Sequence, residues 1–153
     1  MGIRPQLARG FTLLEVLLAL AAAMLVVGIA VLAVGSIGGE RELKSHAGVL
    51  ETTARGALQR SISSGRPIAL ALNSDGFSLG EKSHQLDQAN LELRRVGEEG
   101  WRSPSAGETW TFHPSGICEP IAVRISSDVG YIEVFFDPLT ASAENTNFIV
   151  AGN

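Results

Sequence analysis

The sequence predicts an α+β fold in which a long N-terminal helix precedes an antiparallel β-sheet. Residues 11–39 carry a single charge, Glu15, and no proline occurs between residues 6 and 66. After Pro67 the apolar residues fall in short alternating runs separated by turn residues, which is the pattern of strands. A length of 153 residues is typical of one domain with one main core.

We expect residues 11–39 to form the membrane-spanning half of the N-terminal helix, because this apolar segment is long enough to cross a bilayer. Residues 16–37 are 22 consecutive uncharged residues, and a helix of that length measures about 33 Å, against roughly 30 Å of bilayer hydrocarbon. A buried core helix and an ordinary signal peptide cut near Ala21 are the alternatives. Arg4 and Arg9 precede the segment and Arg41 and Lys44 follow it closely, so the charges that flank the segment do not fix its orientation.

Glu15 is the informative residue of this segment. A carboxylate in apolar surroundings costs a few kcal/mol, so a cationic partner is expected. The segment itself contains no Lys or Arg, and Arg9 is a partner only if residues 1–10 are retained. A cation from another molecule and a Glu15 that simply reaches an interface are the alternatives.

Residues 10–18, with the sequence GFTLLEVLL, resemble the leader junction of type IV pilins and type II secretion pseudopilins. The resemblance implies a leader peptide at residues 1–10, cleavage by a prepilin peptidase between Gly10 and Phe11, and N-methylation of Phe11 by the same enzyme. It further implies that Glu15 attracts the N-terminal ammonium of a neighbouring subunit during filament assembly. The basic, acid-free leader agrees with that family.

The helix is expected to continue beyond the apolar segment, over residues 12–63. Its second half, 40–64, is amphipathic, because apolar residues recur there at helical spacing. These residues are Leu43, Ala47, Leu50, Ala54, Ala57, Leu58 and Ile62. We expect this stripe to pack against the sheet, and the Ser-Ser-Gly-Arg-Pro run at residues 63–67 to end the helix.

The remaining residues, 65–153, predict a sheet domain of six or seven short strands. The expected strands are 68–72, 77–79, 91–96, 109–113, 121–125, 130–136 and 148–150. Tight turns between them favour antiparallel pairing.

The sheet domain also carries a family resemblance. Residues 112–116, FHPSG, and the following strand at 120–125 are similar to the minor pseudopilins of the H type and their FimT-like pilus relatives. Residues 137–140 match the start of that family's closing turn, Asp-Pro-x-Thr-Gly, although Ala141 replaces the glycine.

The resemblance implies a single-pass inner-membrane protein with a cytoplasmic leader and a periplasmic C-terminal domain. It would be a structural subunit of the type II secretion pseudopilus, which helps to move folded proteins across the outer membrane. Its implied partners are prepilin peptidase, the inner membrane and other pseudopilins or pilins, the latter contacted through the helix. A minor type IV pilin of the FimT kind, acting in pilus assembly or DNA uptake, is the alternative.

No group of residues predicts catalysis, so neither an enzyme, a cofactor nor a small-molecule substrate is expected. His113 and Cys118 flank a turn but lack a third, orienting group. We place His46 on the polar side of the helix and His84 in a loop, without metal-ligand spacing. Asp128 and Asp137 could hold calcium, as carboxylates do in some relatives, but no dense oxygen cluster supports a metal site.

The charge of the sheet domain and helix end argues against DNA binding. Residues 40–153 carry 10 Lys or Arg and 15 Asp or Glu, a net charge of −5. Arg94, Arg95 and Arg102 are the one concentration of positive charge, and acidic neighbours dilute it. One cysteine excludes an intramolecular disulfide.

Overall fold

The computed structural model describes residues 12–150, and within them nothing is described of the side chains of residues 29–37, 145 and 150. The chain divides into two compact units, with the boundary between Ile37 and Gly38. One helix, α1, covers Leu13–Ser64, within one residue of the prediction at each end. It ends at Gly65, whose φ of 65° is the left-handed conformation that commonly terminates helices.

The prediction of a membrane-spanning helix is wrong. Among the residues whose placement is described, no helix is long and apolar enough to cross a bilayer. This finding overturns the transmembrane assignment of residues 11–39 and the single-pass inner-membrane location derived from it.

The rest of the fold is α+β with antiparallel strands, as predicted, but the strands form two sheets. Nine strands occur in the described part of the chain. They are β1 Ile68–Asn73, β2 Gly76–Leu79, β3 Lys82–Gln85, β4 Asn90–Arg95, β5 Thr109–His113, β6 Ile117–Cys118, β7 Ile121–Ser127, β8 Gly130–Phe136 and β9 Ala143–Val150. Sheet A has the order β3-β2-β1-β5-β6, and sheet B has the order β4-β7-β8-β9.

The second half of α1 and the inner faces of both sheets share one hydrophobic core. The helical stripe is buried from Leu43 to Leu58, which confirms the periodicity argument. Ile62 is the exception: 47% of its surface is exposed, so its predicted burial is wrong. At the centre of the core, Trp110 packs against Phe112 and Phe136, with ring centroids 4.7 and 4.8 Å away.

Ser61 links the end of α1 to sheet A through a hydrogen bond. Its side chain is completely buried, and its hydroxyl oxygen lies 2.8 Å from the carbonyl oxygen of Arg66 and 2.9 Å from that of Phe112 in β5. Buried carbonyl groups need a hydrogen-bond donor. The Ser61 hydroxyl supplies one between the helix end and the central part of sheet A.

Candidate functional site

Glu15, the predicted assembly residue, lies in the first turn of α1 and is exposed. Its backbone N–H is 3.0 Å from the carbonyl oxygen of Thr12 and 3.3 Å from the Thr12 hydroxyl oxygen. Thr12 is therefore the residue that caps the helix. Gly10 and Phe11, the predicted cleavage and methylation residues, lie outside the described residues, as does the predicted leader at 1–10.

The spacing of Thr12 and Glu15 is that of a capping box, in which a Thr is followed three residues later by a Glu. In that motif the Glu carboxylate can accept a hydrogen bond from the backbone of the capping residue. Glu15 can therefore stabilise the start of α1 within its own chain, in addition to the predicted contact with a neighbouring subunit. The Thr-x-x-Glu spacing in the sequence indicates this role of Glu15 in capping the helix.

Large apolar side chains cover the helix around Glu15 and beyond it. Leu13 and Leu14 expose 82% and 77% of their surfaces, and the exposed side chains follow one another around the helix rather than along one stripe. The exposed side chains of this segment are those of Leu13, Leu14, Val16, Leu17, Leu18, Leu20, Met24, Leu25, Val26 and Val27. Such a contiguous apolar surface is characteristic of a segment that is buried by a partner.

The suggested pairing of His113 with Cys118 does not occur. Cys118 pairs with Phe112 across β5 and β6 and is buried in the core, whereas His113 is exposed. Burial raises the pKa of the Cys118 thiol to about 11, so the thiolate nucleophile is not populated at neutral pH. The structure gives Cys118 a packing role.

His46 and His84 are placed differently from their predicted positions. His46 is buried, with 7% of its surface exposed, and His84 lies in strand β3 rather than in a loop. The Nδ1 atom of His46 is 2.9 Å from the Nε2 atom of His84. Burial lowers the pKa of His84, and the neighbouring His46 lowers it further, while Asp87 opposes the shift.

The two aspartates considered for calcium do not form a metal site. Both carboxylate oxygens of Asp137 accept hydrogen bonds within their own turn, from the Leu139 N–H and the Thr140 hydroxyl, each at 2.9 Å. Within the part of the chain that the structure describes, no three His, Cys, Asp or Glu side chains are arranged to hold a metal ion. In the same turn Ala141 has a φ of 52°, the left-handed conformation that favours glycine.

The arginines considered for DNA binding are mostly paired with carboxylates. Arg95 contacts Glu108 at 2.8 Å and Glu119 at 2.6 Å. Arg102 contacts Glu98 at 2.9 Å and Glu108 at 3.0 Å. Hydrogen bonds from Arg102, and then from Arg95, lower the pKa of Glu108 to about 2, so these charges remain neutralised at neutral pH.

Arg94 and Arg124 are held by aromatic rings on the outer face of sheet B. The guanidinium of Arg124 lies 4.4 Å from the ring centre of Trp101 and 4.6 Å from that of Tyr131, and it also pairs with Glu133 at 2.7 Å. The guanidinium of Arg94 also lies over the Trp101 ring, 4.8 Å from its centre, and has no carboxylate partner among the described residues. One unpaired arginine is a small electrostatic footprint for a DNA phosphate backbone.

Comparisons of the chain with protein-family models, with curated proteins and with solved structures found no match.

Proposed function

We propose that this protein is a pilin-like filament subunit, a minor pseudopilin of a type II secretion pseudopilus, matured by cleavage between Gly10 and Phe11. The observation that carries the proposal is the exposed apolar start of α1, with Glu15 in its first turn. This is the arrangement expected of a helix that is inserted among the helices of neighbouring subunits. The GFTLLEVLL junction immediately before and within it supports the same conclusion.

Burial of this surface between subunits would drive assembly. Complete burial of a large aliphatic side chain contributes about 1.5–3 kcal/mol. Ten such side chains are exposed between Leu13 and Val27, so burying half of their area gives on the order of 10 kcal/mol before the entropic cost of association.

Glu15 would supply selectivity within this apolar contact. Cleavage after Gly10 frees the amine of Phe11, and its methylation leaves it positively charged. At roughly 4 Å and an effective dielectric constant of about 20, a carboxylate and an ammonium attract each other by about 4 kcal/mol. A neighbour's Phe11 amine therefore satisfies the Glu15 charge that the apolar surroundings would otherwise penalise.

A role as a structural subunit is favoured over a role in DNA uptake. Of Arg94, Arg95, Arg102 and Arg124, the last three are paired with carboxylates. DNA binding depends on cations that are free to displace counterions from phosphates. A minor type IV pilin that acts in assembly, without binding DNA, remains the second candidate because the FHPSG resemblance applies to it equally.

The test is incorporation of Glu15 variants into sheared filaments in a strain that carries the full assembly system. Glu15→Gln removes the charge but keeps a side chain that is compatible with the capping box. Glu15→Ala removes both. We expect both variants to be cleaved normally after Gly10 and both to be lost from filaments, by tenfold or more if the ion pair is worth about 4 kcal/mol.

Glu51→Gln is the matched control, because Glu51 lies on the same helix beyond the apolar segment. Its incorporation should equal that of the wild type. If Glu15→Gln is incorporated normally while Glu15→Ala is not, Glu15 serves as a helix cap and the charge-pairing mechanism is wrong. If both variants are incorporated normally, Glu15 has no role in assembly.

A further inference from the structure

The contact between His46 and His84 joins helix α1 to the edge of sheet A. β3 is an edge strand that pairs with β2 alone among the described strands. Of its four residues, only His84 is partly buried, and the other three are exposed. The His84 ring packs on Phe77, with ring centroids 5.0 Å apart, and on His46 at 5.2 Å. Among the side chains of β3, His84 is therefore the one that packs against the body of the domain, in addition to the backbone pairing of β3 with β2.

We propose that His46 and His84 form a proton-sensitive contact that holds β3 against α1 at neutral pH and releases it in acid. The Nδ1 atom of His46 lies 2.9 Å from the Nε2 atom of His84. At that distance one hydrogen atom lies between the two nitrogens, so one ring donates and the other accepts.

Protonation changes this contact in two steps. When one ring gains a proton, there is still a single hydrogen between the two facing nitrogens, so the hydrogen bond between the rings is kept. A second proton places an N–H group on both facing nitrogens and a positive charge on both rings. In that state the hydrogen bond between the rings is broken. The His84 ring then moves into solvent, because His84 is less buried than His46.

Charged groups of both signs lie around the pair. Glu42, on α1, approaches the Nε2 atom of His46 to 3.9 Å, and Asp87, after β3, favours a charged His84. Lys82 lies two residues before His84 on the same face of β3, and its side chain is exposed to solvent. Nε2 of His46 is buried and has no hydrogen-bond partner among the described residues, because the Glu42 carboxylate lies beyond hydrogen-bond distance.

The direction of the pH effect follows from proton uptake. Burial and His46 lower the pKa of His84 below 6.5 in the folded protein. Below pH 6.5 the released form consequently binds more protons than the attached form, and acid favours release. The equilibrium constant for release rises by at most about tenfold per pH unit between pH 6.5 and the lowered pKa.

The test is amide hydrogen exchange of the full chain, with detergent to cover the apolar start of α1, at pH 7.5 and 5.5. Rates are corrected for the intrinsic pH dependence of exchange. We expect protection in β3 to fall by up to about tenfold relative to β7 at the lower pH. His84→Gln keeps a hydrogen-bonding side chain that does not titrate, so it should remove this difference.

His113→Gln is the matched control, because His113 is exposed and lies outside the contact. It should keep the wild-type pH response of β3. An unchanged response in His84→Gln overturns the proposal. Should that variant not fold, the wild-type comparison decides alone: equal protection of β3 relative to β7 at both pH values overturns the proposal too.

Discussion

Replacement of Glu108 by Gln is the perturbation whose size follows most directly from the structure. The carboxylate is 12% exposed and accepts hydrogen bonds from Arg95 at 2.8 and 3.1 Å and from Arg102 at 3.0 Å. A Gln of the same shape keeps one acceptor oxygen but turns an NH₂ group toward a guanidinium. Arg95 retains Glu119 and Arg102 retains Glu98.

The expected loss is therefore about one hydrogen bond to a charged group, roughly 2 kcal/mol of the free energy of unfolding. For a domain of this size that corresponds to a decrease in Tm of about 8 °C. The assay is urea denaturation at pH 7 followed by tryptophan fluorescence. Glu144→Gln is the control, because Glu144 is exposed in β9 and has no ion pair among the described residues.

The effect should also depend on pH with a definite sign. The pKa of Glu108 falls from 4.5 to about 2 on folding, so its contribution is complete above pH 4.5 and is lost as the pH falls toward about 2. The gap in stability between the wild type and Glu108→Gln should narrow over that interval. A Glu108→Gln protein as stable as Glu144→Gln at pH 7, or a gap independent of pH, would refute the reasoning.

Two further predictions concern buried groups. Ser61→Ala should lower the free energy of unfolding by about 1–3 kcal/mol, because the buried carbonyl of Phe112 loses the hydroxyl donor that it shares with the part-buried carbonyl of Arg66. Ser63→Ala, on the exposed side of the same turn, should have little effect, and equal losses would contradict the assignment. Cys118 should not react with a thiol reagent in the native protein at pH 8 and should react fully in 6 M guanidinium chloride, because burial raises its pKa to about 11. Rapid reaction of the native protein would show that the thiol is accessible.

The sequence predicted those parts of the fold that depend on apolar periodicity. The helical stripe from Leu43 to Leu58 and the alternation of strands such as Thr109–His113 are direct consequences of burying one face of an element. The periodicity continues to Ile62, but burial does not, because periodicity shows which face is apolar and not how far the opposing sheet extends.

Elements that form through pairing rather than burial were missed. β3, with the residues Lys82, Ser83, His84 and Gln85, has no apolar alternation. It exists because a turn at Gly80, with a φ of 63°, returns the chain against β2. The two residues of β6 are likewise defined by their partners in β5.

The His46 to His84 contact was missed for a related reason. His46 lies three residues after Leu43 and four before Leu50, which is the spacing of the buried stripe. That spacing could have placed it in the core. Its partner could not be found in the same way, because His84 is separated by 38 positions and lies in a strand that sequence pattern does not reveal.

The apolar start of α1 shows the limit of an argument from hydropathy. The absence of charges between residues 16 and 37 suggested a membrane span, whereas no described helix meets the requirement for one. The same exposed side chains still require burial, and contacts between subunits provide it in the function proposed above.

The most direct test of the account is the intact mass of the protein after co-expression with an active prepilin peptidase, compared with an inactive peptidase. We predict a mass lower by residues 1–10 and higher by one methyl group with the active enzyme only, and no change for a variant with a bulky residue at Gly10. An unchanged mass with the active enzyme, or cleavage elsewhere such as near Ala21, would contradict the pilin-like assignment.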